Sequence, residues 1–264
     1  MDAVILAGGM EEPGSPLFHV TGPTNKCLTP LCGKPMVQWV VEAVDQAPSI
    51  AHLHVLGLDE SSGLSSSKPL AFYPDEGSML SNILAGIEIV HQERPEATHL
   101  LLASGDIPAL TPDIVEWRIQ AGLAHNVDID YAVVEEDVME ARFPGANRSY
   151  LKLKDAKVCG GDLNIVHVSS VTRDRATLER IFAARKSALK QAGLIGWDLL
   201  ILLLLRQLTL DGAVAKVTSN LNISGYATRS PFAEVAMDVD KPHQLDILKQ
   251  DLARKRQTHD AVDS

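Results

Sequence analysis

With 264 residues, 45% of them hydrophobic, the chain carries enough apolar surface for one large domain or two small ones. Its formal charge of −10 argues against a nucleic-acid partner, whose counterion-release energy needs a basic face, and it obliges any polyphosphate site to gather its own lysines, arginines or a divalent metal. Cys27, Cys32 and Cys159 have neither CxxC pairing nor metal-ligand spacing, which suits reduced thiols in a cytoplasmic protein.

The chain opens on a strand pattern, without a basic region and apolar leader ahead of it. Ala3–Ala7, Leu53–Leu58 and His99–Ser104 are short apolar runs separated by stretches of helical spacing. Met36, Val37, Val40, Val41 and Val44 form one apolar stripe, and Met79, Ile83, Ile87 and Val90 form another. Thr111-Pro112-Asp113 then supplies an N-cap and a first-turn proline for a helix through Ile114, Trp117 and Ile119. This alternation predicts an α/β fold, a Rossmann-like and mostly parallel sheet with helices on both faces, persisting to about His125. From Tyr131 the segments shorten to candidate strands Ala132–Val134, Tyr150–Leu153 and Leu163–Val168, the last two parted by Asp155 and Gly160-Gly161, as expected of an elaboration that covers substrate. A helical region over about Thr177–Leu210 follows, Val235–Val239 reads as a return strand to the main sheet, and a polar helix begins near His243. Leu199–Leu205, the most apolar run, is far short of the roughly 20 residues that cross a bilayer and reads as a buried helix or one dipping into lipid or an interface. No transmembrane segment is expected. The chain is thus expected to be one domain over 1–256, divided into a nucleotide-binding half at 1–130, an acceptor-side and helical elaboration at 131–230, and a return strand with C-terminal helix at 231–256. Residues 257–264 read as a frayed tail.

Val4-Ile5-Leu6-Ala7-Gly8-Gly9 carries an apolar strand straight into two glycines, where a backbone without Cβ atoms can approach a bulky anion such as phosphate. A tight turn is the plain alternative. Lys26 follows as a mobile charged donor able to reach phosphate oxygens. Asp106 leaves the carboxyl end of the His99–Ser104 strand, the edge at which open α/β sheets bind ligands, although a lone aspartate there also caps turns. In Met237-Asp238-Val239-Asp240 an extended backbone sends both carboxylates to one side. Two like charges so placed repel unless a cation sits between them or water screens them, and a hard divalent ion, magnesium foremost, also bridges phosphates.

Taken in order, Ala7-Gly8-Gly9, Lys26, Gly33-Lys34-Pro35, Ser104-Gly105-Asp106-Ile107-Pro108 and Asp238-Val239-Asp240-Lys241-Pro242 resemble the nucleotidyltransferase superfamily. The similarity is to NTP transferases of the molybdenum-cofactor guanylyltransferase and sugar-1-phosphate nucleotidyltransferase kind, and it runs from about residue 3 to residue 250. It implies the nucleotide-diphospho-sugar transferase fold and magnesium-dependent transfer of an NMP group from an NTP to a phosphorylated small-molecule acceptor, with release of pyrophosphate. By position, Leu6, Ala7, Gly8 and Gly9 would hold the triphosphate, Lys26 would neutralise it, and Gly105 and Asp106 would complete that side. Gly77 and Ser78, in Asp75-Glu76-Gly77-Ser78, would lie beside base and ribose, while Ser78 serves equally as the cap of a helix starting near Met79. Lys26 and Asp106 take the catalytic roles, Asp106 and Asp240 the magnesium, with Asp238 as a helper. Arg148, Gly161 and Asn164 would fall on the acceptor side, with a solvated arginine and a purely structural glycine turn and strand asparagine as the plain alternative. One departure is that Met10–Pro23 contains no arginine where relatives commonly place one. Lys34, Arg142, Arg148 and Lys152 are the candidates to compensate. A glycosyltransferase using Asp238-Val239-Asp240 as a DxD motif, which has no need of the Gly8-Gly9-Lys26 arrangement, and a catalytically silent nucleotide-binding protein are the alternatives. The base, the acceptor and any homo-oligomer stay open.

Overall fold

The apolar strand runs and one-sided helices assemble as their periodicities require. The computed structural model describes residues 1–11, 13–169 and 207–262. In chain order the first half contains β1 (Asp2–Leu6), α1 (Phe18–Thr21), β2 (Pro30–Leu31), β3 (Lys34–Pro35), α2 (Met36–Asp45), β4 (His52–Leu56), β5 (Leu70–Tyr73), α3 (Met79–Glu93), β6 (His99–Ser104) and α4 (Pro112–Leu123). The second half contains β7 (Ile129–Glu135), α5 (Glu136–Arg142), β8 (Leu151–Lys152), β9 (Lys157–Gly160), β10 (Leu163–His167), α6 (Leu210–Leu221), β11 (Gly225–Arg229) and α7 (Pro242–Val262). Nine of these strands form one sheet in the order β5-β4-β1-β6-β10-β7-β9-β8, with β11 added to β7. The strands β5, β4, β1 and β6 are parallel, whereas β10 runs antiparallel to both β6 and β7.

Both faces of the parallel strands are covered, which is why they read as continuous apolar runs. On one face Val37, Val40, Val41 and Val44 of α2, Ile114, Val115 and Ile119 of α4, and Leu245, Leu248 and Leu252 of α7 pack with Ala3, Ile5, Leu53 and Leu101. On the other, Leu80, Leu84, Ile87 and Val90 of α3 cover Val4, Leu56, Leu100 and Leu102. The expected caps are in place: Thr111 Oγ1 accepts from Ile114 N, and Ser78 Oγ accepts from Ser81 N at 3.1 Å. Among the described residues no helix is long and apolar enough to cross a membrane.

Several boundaries differ from the sequence reading. The second strand stops at Leu56 because Gly57 turns the chain, Tyr150–Leu153 shrinks to Leu151–Lys152, and β5, β9, β11 and α5 were not anticipated. Val235–Val239 is not a strand: Ala233–Ala236 is a 3₁₀ turn and Met237–Asp240 has no regular secondary structure. Both edges of β6 are already taken by β1 and β10, so the segment has no ladder to join. The helix α7 continues past Arg256 to Val262, where fraying was expected. Leu199–Leu205 and most of Thr177–Leu210 lie outside the described residues.

The sheet changes register where β9 gives way to β10. Val133 faces Gly160 in one register, while Asp130 faces Ile165 in the other, two residues out of step. This bulge is closed by side chain and backbone together: Ala132 N donates to Asn164 Oδ1 at 2.8 Å, and Gly161 N donates to Ala132 O at 2.8 Å. Arg118, wholly buried on α4, ties the same junction by donating Nε to Leu163 O and an Nη to Asp130. The bulge carries Asp162 to the carboxyl end of β6, where Ser104 N donates to Asp162 O at 2.9 Å.

Candidate active site

The carboxyl ends of β1 and β6 meet the chain at three points. Ala7 O accepts from Asn25 Nδ2 at 2.6 Å, and Asn25 Oδ1 in turn accepts from Cys27 N at 2.8 Å. This one amide caps the 3₁₀ turn Lys26–Leu28 and fastens it to the end of β1, which fixes where Lys26 starts. Gly105 N donates to Leu6 O at 2.8 Å, so the chain leaving β6 stays beside β1. Val239 N donates to the carbonyl of Asp106 at 3.1 Å, which joins the Met237–Asp240 segment to the same end of the sheet. Met237 and Val239 bury their side chains completely, which leaves Asp238 and Asp240 facing the site. Gln244 Oε1 accepts from Asp240 N and Lys241 N and so starts α7 directly after them.

The result is a cluster drawn from opposite ends of the chain. Lys26 Nζ lies 2.5 Å from Asp106 Oδ2 and 2.9 Å from Asp240 Oδ1. Asp106, Asp238 and Asp240 can each point an oxygen such that all three lie within 4.8 Å of one another. Asp238 is also ion-paired with Arg148, and Ser104 Oγ donates to Asp106 Oδ1 at 2.6 Å. Burial would lower the Lys26 ammonium pKa, but Asp106 and Asp240 overcome it and hold it above its ordinary value. Burial pushes the Asp238 carboxyl up to about 7, with Asp106 and Asp240 adding to the rise and Arg148 opposing it. Asp240 moves the other way: burial works upward, yet Lys26 holds it below the usual range. Burial, with Asp238 and Asp106, raises Asp162 well above an ordinary carboxyl, which marks it as a fourth acidic group of the cluster. The oxygens of Asp106, Asp238 and Asp240 make a donor set of the kind a hard divalent ion takes. Oxygen donors at this spacing fit such an ion.

Beside this cluster opens a cleft of about 780 Å³, counted with its mouth, lined by Leu6, Gly8, Gly9, Lys26, Cys27, Asp75, Gly77, Ser78, Met79, Asn82, Ser104 and Asp106. Gly9 adopts φ +99°, a conformation that favours glycine, and its N–H donates to Asp75 Oδ2 at 3.0 Å. Asp75 joins the two walls, because its other oxygen accepts from Gly77 N and Asn82 Nδ2. Those bonds, Asn82 first, outweigh burial and keep its carboxyl below the usual range. The Gly8-Gly9 turn also depends on Gly57 behind it. With φ +94°, a Cβ there would stand 2.2 Å from Gly8 Cα and 2.4 Å from Gly8 N. Gly57→Ala is therefore expected to cost about 1–3 kcal/mol of stability and, by displacing Gly8, on the order of a hundredfold in turnover. Thermal melts and pyrophosphate release check this against Gly63→Ala, where φ is +69° but no atom lies within 4 Å of the added carbon.

Of the residues expected at the nucleotide, Leu6, Gly8, Gly9, Lys26, Gly77, Ser78 and Asp106 line this cleft, whereas Ala7 and Gly105 sit behind it. Asp106 and Asp240, expected at the metal, do converge. Of the residues expected at an acceptor, Arg148 reaches the cluster through Asp238, while Asn164 spends its amide on Ala132 N and Gly161 O in the bulge. Of the four cations expected to compensate, Lys34 pairs with Glu42, Arg142 bridges Glu234 and Asp251, Arg148 pairs with Asp238, and Lys152 is exposed on β8. Among the described residues lining the cleft, Lys26 is the one that carries positive charge. Sequence reasoning passed over Asn82 and Asp162. The first is a helix residue whose relevance depends on the loop folding back, and the second follows two glycines that read as a plain turn.

This fold and site define a nucleotidyltransferase of the nucleotide-diphospho-sugar transferase architecture. Residues 3–193 match the model of the MobA-like NTP transferase domain, and the chain belongs to that family of nucleotide-transferring enzymes. A hypothetical transferase from Thermus thermophilus shares 33% identity, with a TM-score of 0.80 over 92% of this chain and 98% of its own. CMP:2-keto-3-deoxy-manno-octonic acid synthetase, solved with CTP, has the same fold at 17% identity, with a TM-score of 0.58 over 97% of this chain and 100% of its own. Molybdopterin-guanine dinucleotide biosynthesis protein A from Archaeoglobus fulgidus superposes with a TM-score of 0.52 at 14% identity, over 96% and 100% of the two chains. No curated protein sequence matches the chain.

Proposed function

We propose that this nucleotidyltransferase moves an NMP group from an NTP to a phosphorylated small-molecule acceptor, with magnesium held by Asp106 and Asp240. The observation that carries the reading is the meeting of Lys26 with Asp106 and Asp240, 214 residues from Lys26 in sequence, at the mouth of the Gly8-Gly9 cleft. An oxygen of the acceptor phosphate would attack the α-phosphorus, the bond from that phosphorus to the β-phosphate oxygen would break, and pyrophosphate would carry away the electron pair. The acceptor phosphate is anionic at neutral pH, so no side chain need remove a proton. The Gly8-Gly9 turn, without Cβ atoms, would let the triphosphate come close, Lys26 would neutralise charge growing on it, and the Gly77-Ser78 turn would face base and ribose. The metal, when bound, supplies charge stabilisation on the phosphate oxygens. Arg148, held by Asp238, and the Gly161–Asn164 bulge would border the acceptor, Asn164 by shaping the backbone rather than by contact.

The test is pyrophosphate release from each of the four NTPs with magnesium, against a panel of sugar-1-phosphates, polyol phosphates and pterin phosphates, with EDTA as the control. Release that requires one NTP, one acceptor class and free metal is the expected result. NTP binding without pyrophosphate release across the whole panel would overturn the reading in favour of a silent nucleotide-binding protein.

A further inference from the structure

Lys26 Nζ stands between the two carboxylates assigned to the metal, on Asp106 Oδ2 and Asp240 Oδ1. The second oxygen of Asp106 is already taken by Ser104 Oγ, so a cation approaching Asp106 meets either that hydroxyl or the ammonium. We propose that Lys26 is an internal competitor of the divalent metal: it neutralises the Asp106–Asp240 pair in the metal-free enzyme and is released to the triphosphate when metal takes its place. The inference rests on the metal reading above. It adds that the lysine and the ion alternate on the same oxygens.

Three observations support the exchange. Asn25 fixes the backbone of the Lys26–Leu28 turn at both its carbonyl and its amide, so any movement of the ammonium belongs to the flexible four-carbon stem. Asp75, the other carboxylate lining the cleft, is satisfied by Gly9 N, Gly77 N and Asn82 Nδ2, so it does not call Lys26 away. Lys26 lines the same cleft as Gly8 and Gly9, so a phosphate on that turn is its alternative partner. A bound ammonium must weaken the bare metal site by however much the carboxylates stabilise it. A phosphate that draws Lys26 away then tightens the metal, and by reciprocity the metal tightens the phosphate by the same factor.

Mn²⁺ alone is the probe, with its dissociation constant read from the electron paramagnetic resonance of the free ion on the whole chain without nucleotide. Asp106→Asn is expected to weaken Mn²⁺ binding at least about tenfold, whereas Lys26→Met is expected to tighten it about tenfold. Lys26→Arg, which keeps the charge, should bind as weakly as wild type. In thermal melts Lys26→Met should unfold at lower temperature without metal, because the two carboxylates then repel, and should gain more from Mn²⁺ than wild type does. If Asp106→Asn binds Mn²⁺ as wild type does, the metal reading falls and this inference with it. If Asp106→Asn loses the ion but Lys26→Met binds no more tightly than wild type, or Lys26→Arg binds as tightly as Lys26→Met, the exchange alone is overturned.

Discussion

Replacing Asp106 by asparagine is expected to lower pyrophosphate release by about a thousandfold while the protein melts near its wild-type temperature. The substitution keeps shape and an acceptor for Ser104 Oγ, and Val239 N still reaches the backbone carbonyl, so the contacts that position the segment survive. What disappears is the negative charge that faces Lys26 at 2.5 Å and that, with Asp240, would hold a divalent ion against phosphate oxygens. Because the loss is confined to the charge-stabilising group, it should appear in single-turnover rates at saturating NTP rather than in nucleotide affinity alone. Far-UV circular dichroism should match wild type. Near-normal turnover with magnesium would remove Asp106 from the metal.

How much of this was legible in the sequence depends on how local its cause was. The strands β1, β4 and β6 announce themselves because burial on both faces forces a continuous apolar run, and α2, α3 and α4 because covering one face forces a stripe. By contrast β5 spells Leu-Ala-Phe-Tyr, half-buried at an edge, and β11 offers Gly-Tyr-Ala-Thr-Arg with one buried residue, so neither carries enough pattern to stand out. In the site, Lys26, Asp106 and Asp240 were readable because their chemistry is bound to short motifs. The alternation of Asp238 and Asp240 with Met237 and Val239 held even though no strand formed, since burying the two apolar side chains is enough to orient the acids. Asp162 was not readable, because its position follows from a two-residue register change that Asn164 closes from three residues away along the chain. The same bulge shows why Asn164 looked like an acceptor ligand: a polar side chain inside a strand is conspicuous in sequence, whether its partner is a substrate or a backbone amide.

That junction also locates the largest expected effect on stability. Arg118→Leu should destabilise the protein by about 3–5 kcal/mol, lowering the melting temperature by about 10 °C in a chain of this size. Arg118 is wholly buried and Asp130 nearly so, with 2.6 Å between an Nη and Asp130 Oδ1. Burial presses the guanidinium below its ordinary pKa while Asp130 opposes the fall, so each charge is tolerated inside because of the other. Leucine removes the cation and its donations to Leu163 O and Asp130 O, yet leaves the aspartate in place with only the Thr228 hydroxyl and the His125 ring against it. An unpaired buried carboxylate is the costly state, more so than the absence of the pair. Arg118→Leu combined with Asp130→Leu should therefore recover much of what the single substitution loses, and urea melts of both singles and the double measure that coupling. A single variant that melts within about 2 °C of wild type would mean that the pair does not hold α4 to β7 and β10. In that case the bulge that delivers Asp162 to the cluster would have to be held by the Asn164 amide and the strand ladder alone.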